Sequence, residues 1–177
     1  MACFLTEEKV RDLVNKFGSP LYLFHQDEFV ENYGHLLSAF RSIYSKYNIA
    51  YSYKTNYTPY ICKQVKELGG VAEVVSDMEY RLAKRIGYDS KDIIYNGPIK
   101  GDGLYEHLLR GGVANVDSLD ELRDIIEFSK IHRGKIFKIA FRCNIDIGQG
   151  FVSRFGLDAY AETRDDNELE KACALAQ

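Results

Sequence analysis

One lysine at the end of a short aromatic run is the residue best placed to do chemistry in this 177-residue chain. The run is Asn48-Ile49-Ala50-Tyr51-Ser52-Tyr53, and Lys54-Thr55-Asn56 follow it. Aromatic and β-branched residues favour a strand, so Lys54 is expected at a strand end among apolar neighbours. An ammonium group in such a place is costly unless it is paired or neutralised. A desolvated lysine gives up its proton more easily and becomes a nucleophilic amine, as Schiff-base chemistry with a carbonyl compound requires. Arg142, in Phe141-Arg142-Cys143-Asn144, poses a related problem. A guanidinium at a buried strand end needs an acidic partner or a ligand.

The elements that would position these residues are readable. Apolar runs occupy Ile49–Tyr53, Val71–Val75, Ile93–Tyr95, Val113–Val116 and Ile136–Phe141, starting at intervals of 20 to 23 residues. Amphipathic stretches lie between them. This is the rhythm of repeated βα units and implies parallel strands with helical crossovers. Phe29, Tyr33, Leu36, Leu37, Phe40 and Tyr44 share one helical face before the first run. Thr58-Pro59 reads as a cap and first-turn proline, with Gly69-Gly70 closing that helix. Ser76 with Glu79, and Ser118 with Glu121, read as capping boxes. Gly87 and Gly134 follow helix ends. The tail from Thr163 is charged and then helical in pattern. Leu21-Tyr22-Leu23-Phe24 lies outside the rhythm and is expected to be a strand of another sheet.

A (βα)8 barrel needs eight such units in about 250 residues. The chain holds five or six, so the expected fold class is α/β, a partial TIM-type barrel preceded by an N-terminal helix and strand. Residues 1–24 are assigned to that helix and strand and residues 25–177 to the barrel. The chain is expected to be part of something longer. An open Rossmann-like sheet is the alternative, but no Gly-x-Gly-x-x-Gly follows any run. Barrel chemistry sits at the C-terminal strand ends. Here those ends are Lys54-Thr55-Asn56, Ser76, Asn96-Gly97-Pro98, Asp117-Ser118 and Arg142-Cys143-Asn144. Helix capping alone accounts for Ser76 and Ser118.

Composition narrows the partners. The net charge is −3 and no basic run occurs, which disfavours nucleic acid and acidic membranes. No apolar stretch could span a bilayer and Met1–Glu8 has no signal-peptide pattern, so a cytoplasmic protein is expected. Cys3, Cys62, Cys143 and Cys173 are too scattered for a zinc knuckle or a redox pair. They are expected as reduced thiols packed as small apolar groups. No metal site is expected.

Several stretches together carry a family resemblance. They are Phe17-Gly18-Ser19-Pro20-Leu21-Tyr22-Leu23-Phe24, Ala50-Tyr51-Ser52-Tyr53-Lys54-Thr55-Asn56, Glu73-Val74-Val75-Ser76, Ile93-Ile94-Tyr95-Asn96-Gly97-Pro98, Asn115-Val116-Asp117-Ser118 and Ser153-Arg154-Phe155-Gly156-Leu157-Asp158. Over roughly residues 15–160 the chain resembles the N-terminal part of the fold-type III, pyridoxal-phosphate-dependent amino acid decarboxylases. These include the diaminopimelate and ornithine decarboxylases, whose barrel is related to that of alanine racemase.

The resemblance implies that pyridoxal 5'-phosphate is the cofactor and that Lys54 forms the Schiff base with it. It implies a cofactor-binding set of Lys54, Glu73, Asn96 and Arg142, with Glu73 standing where the family usually has an aspartate. It further implies that Leu21–Phe24 pairs with a C-terminal β domain, that the substrate is an amino acid, and that the full-length form is a homodimer. The segment Lys54-Thr55-Asn56-Tyr57-Thr58-Pro59 looks like the decarboxylase branch rather than the racemase branch. Asn144–Gly150 lacks the histidine that diaminopimelate enzymes usually carry there. A glycine-rich phosphate loop, a Glu-Pro-Gly-Arg-like segment and a partner-subunit Cys-Asp segment are also missing from the sequence. The expected function is therefore decarboxylation of an amino acid by a chain that is incomplete and inactive alone. The alternatives are a catalytically silent homologue acting as a binding or regulatory subunit, and a racemase-type barrel protein.

Overall fold

The computed structural model describes residues 5–145, 148, 153–159 and 167–176. Two compact units divide it, Met1–Tyr47 and Asn48–Gln177.

The first unit holds two helices. Thr6 caps α1 (Glu7–Phe17) by accepting from the Lys9 N–H at 3.2 Å. Glu7 and Glu8 in its first turn and Lys16 in its last complement the helix dipole. The Nδ1 of His25 caps α2 (Gln26–Arg41), accepting from the Glu28 N–H at 3.1 Å. Of the expected apolar face of α2, Tyr33 is buried, while Leu36, Phe40 and Tyr44 are exposed. The helix lies within the first compact unit, which ends at Tyr47. Leu21–Phe24 forms no strand. A strand exists only with a ladder partner, and none of the described residues pairs with this segment.

The second unit is a run of βα repeats. Its elements are β1 (Ala50–Ser52), α3 (Pro59–Glu67), β2 (Val71–Val74), α4 (Asp77–Ile86), β3 (Ile93–Tyr95), α5 (Gly103–Leu109), β4 (Val113–Val116), α6 (Leu119–Ile131) and β5 (Lys138–Phe141). The short strands β6 (Cys143–Asn144) and β7 (Leu157–Asp158) and the helix α7 (Glu168–Leu175) follow. Strands β1 to β5 form one parallel sheet in sequence order. β6 and β7 pair in parallel as well. Arg142 stands at the join of the two ladders: its N–H donates to Val116 O at 2.9 Å and its carbonyl accepts from the Leu157 N–H at 2.7 Å.

Side chains alternate across these strands, and the alternation sorts core from site. Ala72, Val74, Ile93, Tyr95, Ala114 and Val116 are buried on one face, against Tyr80, Ala83, Leu104, Leu108, Leu122 and Ile125 of the helices. The intervening positions Glu73, Ile94, Asn96 and Asn115 belong to the opposite face. By register Ser52 lies beside Glu73, and Ala140 beside Asn115.

Some local expectations differ from the structure. Ile136 and Phe137 precede β5, and Ile136 is exposed. Thr58 precedes α3 but makes no side-chain cap; the Pro59 ring alone starts the helix. Cys62 is buried, whereas Cys143 and Cys173 are exposed and do not pack as apolar groups. Cys3 lies outside the described residues. No described helix is long and apolar enough to cross a membrane.

Candidate active site

Three devices at the C-terminal ends of the parallel strands build one cavity of about 450 Å³. The first is a chain of side chains across β2, β3 and β4. Asn96 Nδ2 donates to Glu73 Oε1 at 2.7 Å, and Asn115 Nδ2 donates to Asn96 Oδ1. Asn96 thus uses both ends of its amide, which fixes its orientation. All three residues line the cavity.

The second device holds Arg142. Its Nη1 donates to Asp117 Oδ1 at 2.9 Å, and the Gly156 N–H donates to Asp117 Oδ2 at 3.1 Å. Asp117 is nearly buried at 6% side-chain exposure, while Arg142 keeps 41% and lines the cavity. The acidic partner that the arginine required is therefore Asp117. Phe155, another wall of the cavity, lies 4.8 Å from the Arg142 guanidinium and 4.9 Å from that of Arg154.

The third device tightens the loops. Ser76 caps α4 by accepting from the Glu79 N–H at 3.3 Å, and Glu79 Oε2 accepts from the Val75 N–H at 2.7 Å. Ser118 and Glu121 repeat the arrangement on α6, with Glu121 Oε2 accepting from the Asp117 N–H at 2.9 Å. Both are the expected capping boxes, with one shift. Each glutamate reaches the residue before the cap and so locks the strand end that carries a site residue. At Gly97 (φ +97) the loop after β3 lies so close to Val75 that a Cβ would meet its carbonyl oxygen at 2.5 Å.

Lys54 lines the same cavity, on the face that Ser52 and Glu73 share. Its expected desolvation is not met, because the residue is exposed. The reason is topological: β1 is the edge of the described sheet, so β2 flanks the lysine on one side and no strand walls the other. Lys54 makes no hydrogen bond or ion pair among the described residues, which leaves its amine available to a ligand.

The structure thus brings Lys54, Glu73, Asn96 and Arg142 to one cavity. Sequence reasoning missed Asn115 and Phe155 as walls and underused Asp117. Asn115 had a usable signal, since it occupies in β4 the place that Glu73 holds in β2, two residues after the first β residue.

Residues 30–172 match the family described as pyridoxal-dependent decarboxylase, pyridoxal binding domain. The diaminopimelate decarboxylase of Methanocaldococcus jannaschii is 34% identical over 145 residues, 77% of this chain and 32% of that protein. The diaminopimelate decarboxylase of Aquifex aeolicus is 31% identical over 149 residues, 81% of this chain and 34% of that protein. The crystal structure of the M. jannaschii enzyme in complex with L-lysine superposes with a TM-score of 0.75 at 31% identity, over 94% of this chain and 41% of that one. The chain spans about a third of the length of the curated relatives it matches. Its parallel sheet is the N-terminal part of a TIM-type barrel. The chain belongs to the pyridoxal-dependent decarboxylases, through their pyridoxal-binding domain.

Proposed function

We propose that this chain carries the cofactor lysine of a pyridoxal-phosphate-dependent amino acid decarboxylase, and that Lys54 is that lysine. The observation that carries the reading is the placement of an unpaired lysine amine in the cavity that also holds Arg142 and the Glu73–Asn96–Asn115 chain.

The donor set fits the cofactor. Lys54 supplies an amine for its aldehyde carbon, Arg142 a cation for its anionic groups, and Glu73 and the two asparagines a fixed rank of acceptors and donors. When bound, pyridoxal phosphate supplies an electron sink for the bond that releases carbon dioxide. The protein's residues bind and orient. Asp117 holds the guanidinium of Arg142 at one edge, so that a negative group is met by a preset charge rather than a mobile one. Asn96 fixes the Glu73 carboxylate from the side, and the Phe155 ring forms part of the cavity wall beside Arg142. The substrate class is an amino acid, with diaminopimelate the first candidate because the similar proteins named above are diaminopimelate decarboxylases. The full-length form is proposed to act as a homodimer, with Leu21–Phe24 pairing into a β domain.

The test is an absorbance scan of the purified chain with pyridoxal phosphate, followed by borohydride and peptide mapping. The expected label is on Lys54, lost in Lys54→Ala with the thermal midpoint unchanged. Release of carbon dioxide from diaminopimelate, ornithine, arginine and lysine is then compared in the full-length protein. Label spread over surface lysines would reject Lys54, and no release from any amino acid would reject decarboxylation.

A further inference from the structure

We propose that Lys100 is a positioning residue of this cavity, acting through Glu121 and Asp117 on the guanidinium of Arg142. The proposal rests on the pyridoxal phosphate reading above. Lys100 lies in the loop between β3 and α5, and its side chain is fully buried, at 0% exposure. Its Nζ donates to Gly97 O at 2.7 Å and to Glu121 Oε1 at 2.6 Å. The other oxygen of Glu121 accepts from the Asp117 N–H, and the Asp117 carboxylate holds Arg142 and Gly156. One ammonium group therefore ties together the strand ends of β3, β4 and β5. Gly97 and Arg142, at the two ends of this chain, both line the cavity.

A buried ion pair is weak evidence of a stabilising role, because desolvation offsets most of the attraction. Helix capping does not explain the lysine either, and the molecule contains its own control. Glu79 holds the Val75 N–H on α4 as Glu121 holds that of Asp117 on α6, yet no described lysine bonds Glu79. Among the described residues the extra charge is present only on the arm that leads to Arg142. Lys100 fixes Glu121 from one side, Glu121 fixes the backbone of Asp117, and Asp117 sets the guanidinium.

The experiment is a double-mutant cycle on the full chain, read in the dissociation constant for pyridoxal phosphate and in the thermal midpoint. Lys100→Met with Glu121→Gln removes both charges and leaves neither unpaired. It is expected to weaken cofactor binding by roughly tenfold, the scale of a hydrogen bond to a charged group. In an Arg142→Gln background the same change is expected to cost no further affinity, because its route to the cofactor is already cut. A lysine with a merely structural role would cost as much affinity with Arg142 as without it. Should the paired variant fail to fold, Glu121→Gln alone retains the side-chain shape, and the same cycle is read on it. Additive losses, or an unchanged dissociation constant in folded protein, would overturn the assignment of Lys100 while leaving Lys54 labelled as before. Absence of cofactor on Lys54 in the unaltered chain would overturn the reading of the cavity, and this proposal with it.

Discussion

Asp117 holds Arg142 with one carboxylate oxygen and the backbone of Gly156 with the other, at 2.9 and 3.1 Å. The two bonds join the end of β4 to the residue between β5 and β6 and to the residue just before β7. They make the orientation of the cavity's cation a property of the backbone rather than of a free side chain. An ionised carboxylate offers two separate acceptor oxygens and no donor, so one oxygen serves each partner.

Asp117→Asn tests that double acceptance. The amide retains one acceptor, loses the charge and presents a donor to one of two groups that are themselves donors. The expected loss is about 1–3 kcal/mol, the cost of a broken hydrogen bond to a charged group. Urea denaturation read by circular dichroism checks it. An unchanged midpoint would show that Arg142 is held by something other than Asp117.

Gly156 is required for a different reason. Its φ is +89, and a Cβ there would lie 2.6 Å from the carbonyl oxygen of Arg142. Gly156→Ala therefore strains the backbone and pushes on the joint between the two ladders. The expected destabilisation is about 2 kcal/mol. Gly134→Ala is the comparison, with φ +87 and no atom within 4 Å of the added carbon. If the two substitutions cost the same, the contact with Arg142 contributes nothing beyond backbone strain.

Gly112→Ala tests packing behind the sheet. An added Cβ would run into the ring of His107, which is buried and lies 5.6 and 5.8 Å from the Tyr80 and Tyr95 rings. The ring has nowhere to move, so overpacking is expected to cost about 1–3 kcal/mol. Combined with His107→Ala, which opens a cavity at the same place, the two changes should cost less than their sum. Additive free energies of denaturation would refute the contact.

The parts legible in the sequence are those set by local rules. The βα rhythm located all five strands of the main sheet, and the spacing of Ser76–Glu79 and Ser118–Glu121 located two helix starts. Lys54, Asn96 and Arg142 stand out as polar residues at strand ends, whereas Glu73, inside β2, was singled out only through the family resemblance. The partnerships were not legible. The Glu73–Asn96 bond spans 23 residues, Arg142–Asp117 spans 25 and Lys100–Glu121 spans 21. Each depends on strand register, which no local pattern reports. The exposure of Lys54 was misjudged for the same reason, since burial at a strand end depends on what lies beside the strand. The strand expected at Leu21–Phe24 needs a ladder partner, and the described residues supply none.

His107 ties stability to pH. Its Nε2 faces Val113 O at 3.0 Å, so that nitrogen carries the proton of the neutral ring, and Nδ1 has no hydrogen-bond partner among the described residues. Burial depresses its pKa below 6.5, the Val113 carbonyl opposes the shift, and the charge of Lys84 adds to it. The unfolded chain, with an ordinary histidine, then binds the proton at a higher pH than the folded one. The stability gained from keeping this ring neutral is complete above about pH 6.5 and is lost progressively as the pH falls below it. His107→Gln can still donate to Val113 O and does not titrate. The difference in unfolding free energy between the unaltered chain and this variant is expected to be flat from pH 8 to pH 7 and to shift against the unaltered chain toward pH 5. Denaturant titrations at those three values measure it. A difference that stays constant with pH would mean that the folded ring titrates as it does in the unfolded chain, and that its burial among Tyr80 and Tyr95 does not exclude the charge.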